Sequence, residues 1–179
     1  ALSGSVTVLD GETTATIPVV TIDNDIDQDT RTVNITLTSA TNGAALGATT
    51  VATVSILDND TAGISVTVPG GSLEMSEAGG TGDFTVVLTS QPISDVTITV
   101  TSGDENIATV APTSLTFTDA NWDQPQTVTV TGVNDLIAAG SRFTTISMSV
   151  SSSDTNYSTS TPAGVNVTVT DDDTAGVTV

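Results

Sequence analysis

Apolar and hydroxyl-bearing residues take turns along most of this chain, and a period of two is the periodicity of a strand. Val96, Ile98 and Val100 are separated by Thr97 and Thr99, Val128 and Val130 by Thr129, and Val165, Val167 and Val169 by Asn166 and Thr168. Successive side chains of a strand point to opposite faces, so each run places β-branched aliphatics on one face and small polar groups on the other. This is the pattern of antiparallel strands with one wet face. Further strands are expected at Ser5–Leu9, Thr14–Val20, Thr32–Thr38, Ala52–Leu57, Ile64–Val68, Phe84–Thr89, Ser114–Thr118 and Thr144–Val150. Turn formers such as Pro69-Gly70-Gly71 and Gly79-Gly80-Thr81-Gly82 separate them at the spacing of a β-sandwich. Aromatic residues make up only 3% of the chain, so the core is expected to consist of Val, Ile, Leu and Ala. Trp122, with no aromatic companion nearby in sequence, reads as a packing anchor and not as a sugar platform.

The chain also repeats itself. Asp58-Asn59-Asp60-Thr61-Ala62-Gly63-Ile64 returns as Asp171-Asp172-Asp173-Thr174-Ala175-Gly176-Val177, an offset of 113 positions. That period matches one sandwich domain of roughly 100 residues. Residues 1–60 therefore read as the later part of one repeat, 61–173 as a complete repeat, and 174–179 as the first strand of a third. The joint Asp60-Thr61-Ala62-Gly63 is so short that an end-to-end, stiff array is expected.

Chemistry is limited by what the chain lacks. It has no His, Cys or Lys, and only Arg31 and Arg142 oppose 21 Asp and Glu, for a net charge of -19. Nucleic-acid binding requires a basic surface to displace counterions, which is absent, so no nucleic-acid partner is expected. Histidine bases, thiol nucleophiles, Schiff-base lysines and Cys/His zinc sites are excluded with it. No apolar run approaches the ~18 residues of a membrane span. The expectation is a protein that is not an enzyme.

The acids gather at strand ends. Asp23, Asp25, Asp27 and Asp29 follow one strand of the first repeat, and Asp58 with Asp60 follows another. In the second repeat the corresponding places hold Asn134-Asp135 and Asp171, Asp172 and Asp173, with Glu77 as a further arm. Strands lying side by side would bring these loops to one pole, where several carboxylates repel until a cation neutralises them. An all-oxygen, Asp-rich ligand set selects Ca2+, and Mg2+ less well, over transition metals.

At this point the sequence resembles a known family. Gly11-Glu12-Thr13 through Ile22, Asp23-Asn24-Asp25, Val33–Leu37, Ala45-Leu46-Gly47 and Ala52–Asp60 look like the second half of a Calx-beta domain. That domain is the calcium-binding immunoglobulin-like sandwich of sodium/calcium exchangers, integrin β4 and many bacterial surface proteins. Ser76-Glu77-Ala78-Gly79 through Asp173, with Pro112–Thr118 and Asn121-Trp122 in its middle, looks like a bacterial variant. The resemblance implies calcium ligands at Glu77, Asp135, Asp171, Asp172 and Asp173 in the second repeat, and at Asp23, Asp25, Asp58 and Asp60 in the first. Where the family often has further acids, this chain has Leu136-Ile137-Ala138-Ala139, which implies a second site that is weaker or holds fewer ions. The expected function is a calcium-stiffened stalk, sheath or adhesin scaffold of a prokaryotic cell surface or extracellular matrix. Its expected partners are neighbouring repeats of the same chain and other copies in a filament or sheath. A regulatory calcium-sensing pair and a carbohydrate-binding module are the alternatives.

Overall fold

A computed structural model describes residues 4–177 of the chain. Among them every regular element is a strand. The chain divides into two compact units, residues 1–24 with 31–56, and residues 25–30 with 57–179.

In the first unit, β1 (Arg31–Thr36) pairs antiparallel with β2 (Val51–Ile56), with Arg31 opposite Ile56 and Thr36 opposite Val51. No described residue of this unit is buried. The strands expected at Ser5–Leu9 and Thr14–Val20 do not form: both stretches lack strand structure and leave Val6, Val8, Ile17 and Val19 exposed. The physical reason is that alternation stabilises a strand only when a neighbour completes its ladder and a second layer covers its apolar face. Here β1 and β2 pair only with each other.

The second unit is a complete antiparallel-dominated sandwich. One sheet has the order β4 (Leu73–Ser76), β11 (Val165–Thr170), β10 (Arg142–Ser152), β6 (Val96–Ser102) and β8 (Ser114–Phe117). The other runs β3 (Ile64–Thr67), β5 (Thr81–Leu88), β9 (Gln126–Gly132) and β7 (Ala108–Ala111). All pairings are antiparallel except β4 with β11, which is parallel. The chain changes sheet between β3 and β4 at Pro69-Gly70-Gly71, where the glycines take φ of 77° and 86°. The Gly71 amide donates to the Val68 carbonyl there. Positive φ at consecutive residues is a backbone that only glycine adopts without strain.

The alternation sorts the side chains as expected. Phe84, Val86, Leu88, Val128 and Val130 line one sheet and Ile98, Phe117, Ile146, Val165 and Val167 the other, all buried in one core. Trp122 is half-buried and packs against this core, as an anchor would. The short strands β4 and β7 lie outside the expected set, because Leu73–Ser76 has no β-branched residue and Ala108–Ala111 has only one large apolar side chain to mark a face. Tyr157 is buried, and its hydroxyl reaches the Ser90 carbonyl at 2.6 Å and Ser90 Oγ at 2.8 Å. This bond ties the turn after β10 to the end of β5. The expected third-repeat segment, 174–179, shows no strand over 174–177, and Thr178 and Val179 lie outside the described residues.

Candidate metal centre

One pole of the second unit collects the ends of four strands. The turn Glu77–Gly80 leads into β5, β9 ends at Gly132, β10 begins at Arg142, and β11 ends just before Asp171. Two close backbone approaches hold the turn in place. The Gly132 amide donates to the Gly80 carbonyl at 2.9 Å, and a Cβ on Gly132 would lie 2.5 Å from the Ser76 carbonyl oxygen. A Cβ on Gly80 would lie 2.7 Å from the Ser76 nitrogen. Only glycine fits at either position, so the backbone pins Glu77 against the pole.

Three of the anticipated acids meet there. Glu77, Asp135 and Asp173 each bring a carboxylate oxygen within 4.8 Å of the others'. Glu77 is 1% exposed, while Asp135 and Asp173 are half-buried. Glu77 Oε1 and Asp173 Oδ2 are buried without a hydrogen-bond partner. Buried carboxylate oxygens left unpaired are costly, and they fit a hard cation that would take them as ligands. Asp172 is exposed and, with Asn134, lines an open hollow of about 450 Å³ beside Glu77.

Asp171 is engaged differently. Its Oδ2 accepts the amides of Ala139 and Gly140, both at 2.6 Å, and its Oδ1 accepts the Asp173 amide at 2.8 Å. These backbone bonds, that from Gly140 foremost, hold its pKa below the ordinary carboxylate value. Asp171 thus shapes the loop after Asp135 and orients Asp173. Glu77 moves the other way: burial raises its pKa, the hydrogen bond from Arg142 pulls it down, and the charges of Asp135 and Asp171 push it up again.

The side chain that sequence reading missed is Arg142. Its Nη2 lies 2.7 Å from Asp135 Oδ2 and 3.2 Å from Glu77 Oε2, and both salt bridges among the described residues are its own. The signal was present in the sequence. Asn24-Asp25 precedes Arg31 much as Asn134-Asp135 precedes Arg142, so the chain's two cations hold equivalent places. The strand registers agree, with Arg31 opposite Ile56 and Arg142 opposite Val169, two partners that are themselves 113 positions apart.

The first-repeat acids do not gather in this manner among the described residues. Asp23 and Asp25 are exposed, and Asp58 and Asp60 are half-buried. Asp58 Oδ2 accepts the Gln28 amide at 3.0 Å, the counterpart of the bonds to Asp171. Asp27 Oδ2 accepts the Ala62 amide at 2.8 Å.

Comparison with known proteins finds one family model matched twice along the chain. The Calx-beta domain family model matches residues 1–60 and again residues 59–173. Among solved structures, the apo-form Calx CBD1 domain is 15% identical, with a TM-score of 0.44, covering 62% of this chain and 98% of that one. WR4, a C. elegans MSP family member, is 10% identical at a TM-score of 0.41, over 59% of this chain and 96% of its own. Domains 4 and 5 of the S-layer protein SbsC are 17% identical at a TM-score of 0.35, over 67% of this chain and 58% of theirs. No curated protein is matched by the chain. With both repeats matched by one family model, over an immunoglobulin-like sandwich whose acids converge at one pole, the chain belongs to the Calx-beta domain family.

Proposed function

We propose that this chain is a non-enzymatic scaffold module whose second sandwich binds Ca2+ at Glu77, Asp135 and Asp173, with Asp172 on the solvent side. The single observation that carries the reading is the pair of buried, unpartnered oxygens, Glu77 Oε1 and Asp173 Oδ2, in a group of three converging carboxylates. Arg142 neutralises one of those three charges, and a divalent cation would neutralise the remainder. The ion would compete with the guanidinium for Glu77 and Asp135, so the site is expected to be of modest affinity. Calcium modules of extracellular proteins have Kd values of about 10⁻⁴–10⁻³ M, which suits a surface or matrix location where calcium is millimolar. A net charge of -19 gives such a scaffold a second use for the ion, because screening lets neighbouring repeats or other copies approach.

Calcium bound only by the folded state stabilises it by RT ln(1 + [L]/Kd), about 2.7 kcal/mol at one hundred times Kd. Thermal melts of the full chain in EDTA and in millimolar calcium test this directly. The melting temperature is expected to rise with calcium in the parent chain and to stay level in Glu77→Gln and in Asp173→Asn. Identical melting of the parent chain in both conditions would rule out calcium binding by these acids.

A further inference from the structure

The acidic loop occurs twice, and its two copies have different surroundings. The first copy, residues 25–30, belongs by its contacts to the second unit. The Gln91 amide donates to the Asp25 carbonyl at 2.6 Å, and Asn156 Nδ2 donates to the Asp27 carbonyl at 2.9 Å. Ile26, between them, is half-buried. Gln91 follows β5 and Asn156 follows β10, whereas Glu77 precedes β5 and Arg142 opens β10. The sandwich therefore has a receiving pole, around Gln91 and Asn156, at the strand ends opposite the acidic pole.

The second copy of the loop, from Asp135 to Ser141, is shaped by the same device, with Asp171 replacing Asp58 as the acceptor of its backbone amides. Yet Leu136, at the place of Ile26, is 87% exposed, and Ile137 is 66% exposed. Val177, which repeats Ile64, is exposed as well. Two adjacent large apolar side chains on a loop held by three side-chain hydrogen bonds to Asp135 and Asp171 form a built surface that covers nothing.

We infer that the Leu136–Ile137 surface docks against the Gln91–Asn156 pole of another copy of the sandwich, head to tail, with the Asp135 and Ile137 carbonyls accepting the incoming Gln91 amide and Asn156 side-chain amide. The occupant is identified by the first copy of the loop, whose equivalent carbonyls already take those two donors. Contacts between unlike poles leave one pole of each kind free at the ends, so they extend into arrays unless the rotation between neighbours closes a ring. The docking rests on the scaffold reading for the presence of a neighbour, but it does not require the metal.

An extended chain in which a second copy of residues 64–179 follows Gly176 supplies the neighbour covalently. Access of a soluble paramagnetic probe to the Leu136 and Ile137 methyls of the first copy, read by NMR in the original and extended chains, is the measurement. The methyls are expected to lose most of their probe broadening in the extended chain. Asn156→Ala in the appended copy alone should restore part of it, and Leu136→Asp in the first copy should let the appended sandwich tumble independently. Equal access in both chains, with the appended copy folded, overturns the docking. The same spectra taken in EDTA and in calcium separate the two ideas: covered methyls without a calcium-dependent melting shift leave the docking standing and sink the metal site. Exposed methyls with a melting shift do the reverse.

Discussion

Residues 31–56 and residues 64–170 carry the same alternation of aliphatic and hydroxyl side chains, yet the first stretch buries none of them and the second buries most of the inward ones. Val33 on β1 remains 45% exposed, whereas Phe84 and Val128 on β5 and β9 are fully buried. The difference is layers. Strands β1 and β2 form a two-stranded ladder with no buried residue, while β5 and β9 share one buried core with β6 and β10 of the other sheet. Alternation states which face could be covered, and a second sheet decides whether it is.

Mutations sharpen that contrast, beginning in the core. Phe84→Ala removes a fully buried ring and is expected to cost about 3–5 kcal/mol of the second unit's stability. Val33→Ala in the first unit removes a side chain that is nearly half exposed, and an effect below about 1 kcal/mol is expected. Denaturant titration of both variants checks the ratio, and equal costs would mean that β1 is covered after all.

Tyr157→Phe comes next. It leaves Ser90 with an unpaired hydroxyl and an unpaired carbonyl, for an expected loss of about 1–3 kcal/mol. Burial pushes the Tyr157 phenol above its ordinary pKa, against the opposing hydrogen bonds with Ser90. A folded pKa above the unfolded value of about 10 means that the neutral form is the one folding favours. The contribution is therefore complete below about pH 10 and is lost as pH rises through the folded pKa. Stability of the parent chain should fall over that alkaline range more steeply than that of Tyr157→Phe, and matching slopes would remove Tyr157 as the titrating group.

At the acidic pole, Arg142→Gln removes the internal cation from beside Glu77 and Asp135. The metal-free melting temperature is expected to drop and the calcium-induced rise to grow, because the ion no longer competes with a guanidinium. Arg31→Gln, its sequence equivalent, sits outside this carboxylate group and should change neither value. Calorimetry on the two variants, each with calcium and with EDTA, distinguishes them. Leu136→Ser in the 179-residue chain replaces an exposed side chain, and stability should likewise shift little, by less than about 0.5 kcal/mol in a denaturant titration.

Much of the candidate site was legible in advance. Glu77, Asp135 and Asp173 were singled out because acids recur at strand ends, and strand ends of a sandwich share a pole. Arg142 was not: the Asn-Asp pair before each arginine marks the two cations as equivalent, but only the register opposite Val169 places Arg142 among the carboxylates. The distinct task of Asp171 was hidden for a similar reason. Its partners, the amides of Ala139 and Gly140, belong to a loop whose path no side-chain pattern encodes.

By itself, the sequence determined the all-β class, the 113-position offset of its repeated acidic segment, a supply of carboxylates without His or Cys, and the position of the turns, since each follows from local pattern or composition. Tertiary structure alone decided that Ser5–Leu9 and Thr14–Val20 form no strands, that Asp25–Thr30 is built into the second unit, and that Arg142 shares the pole with Glu77. Those outcomes depend on contacts between residues far apart in the chain. A period of two fixes which face a side chain takes but not which strand, or whether any, will lie opposite it.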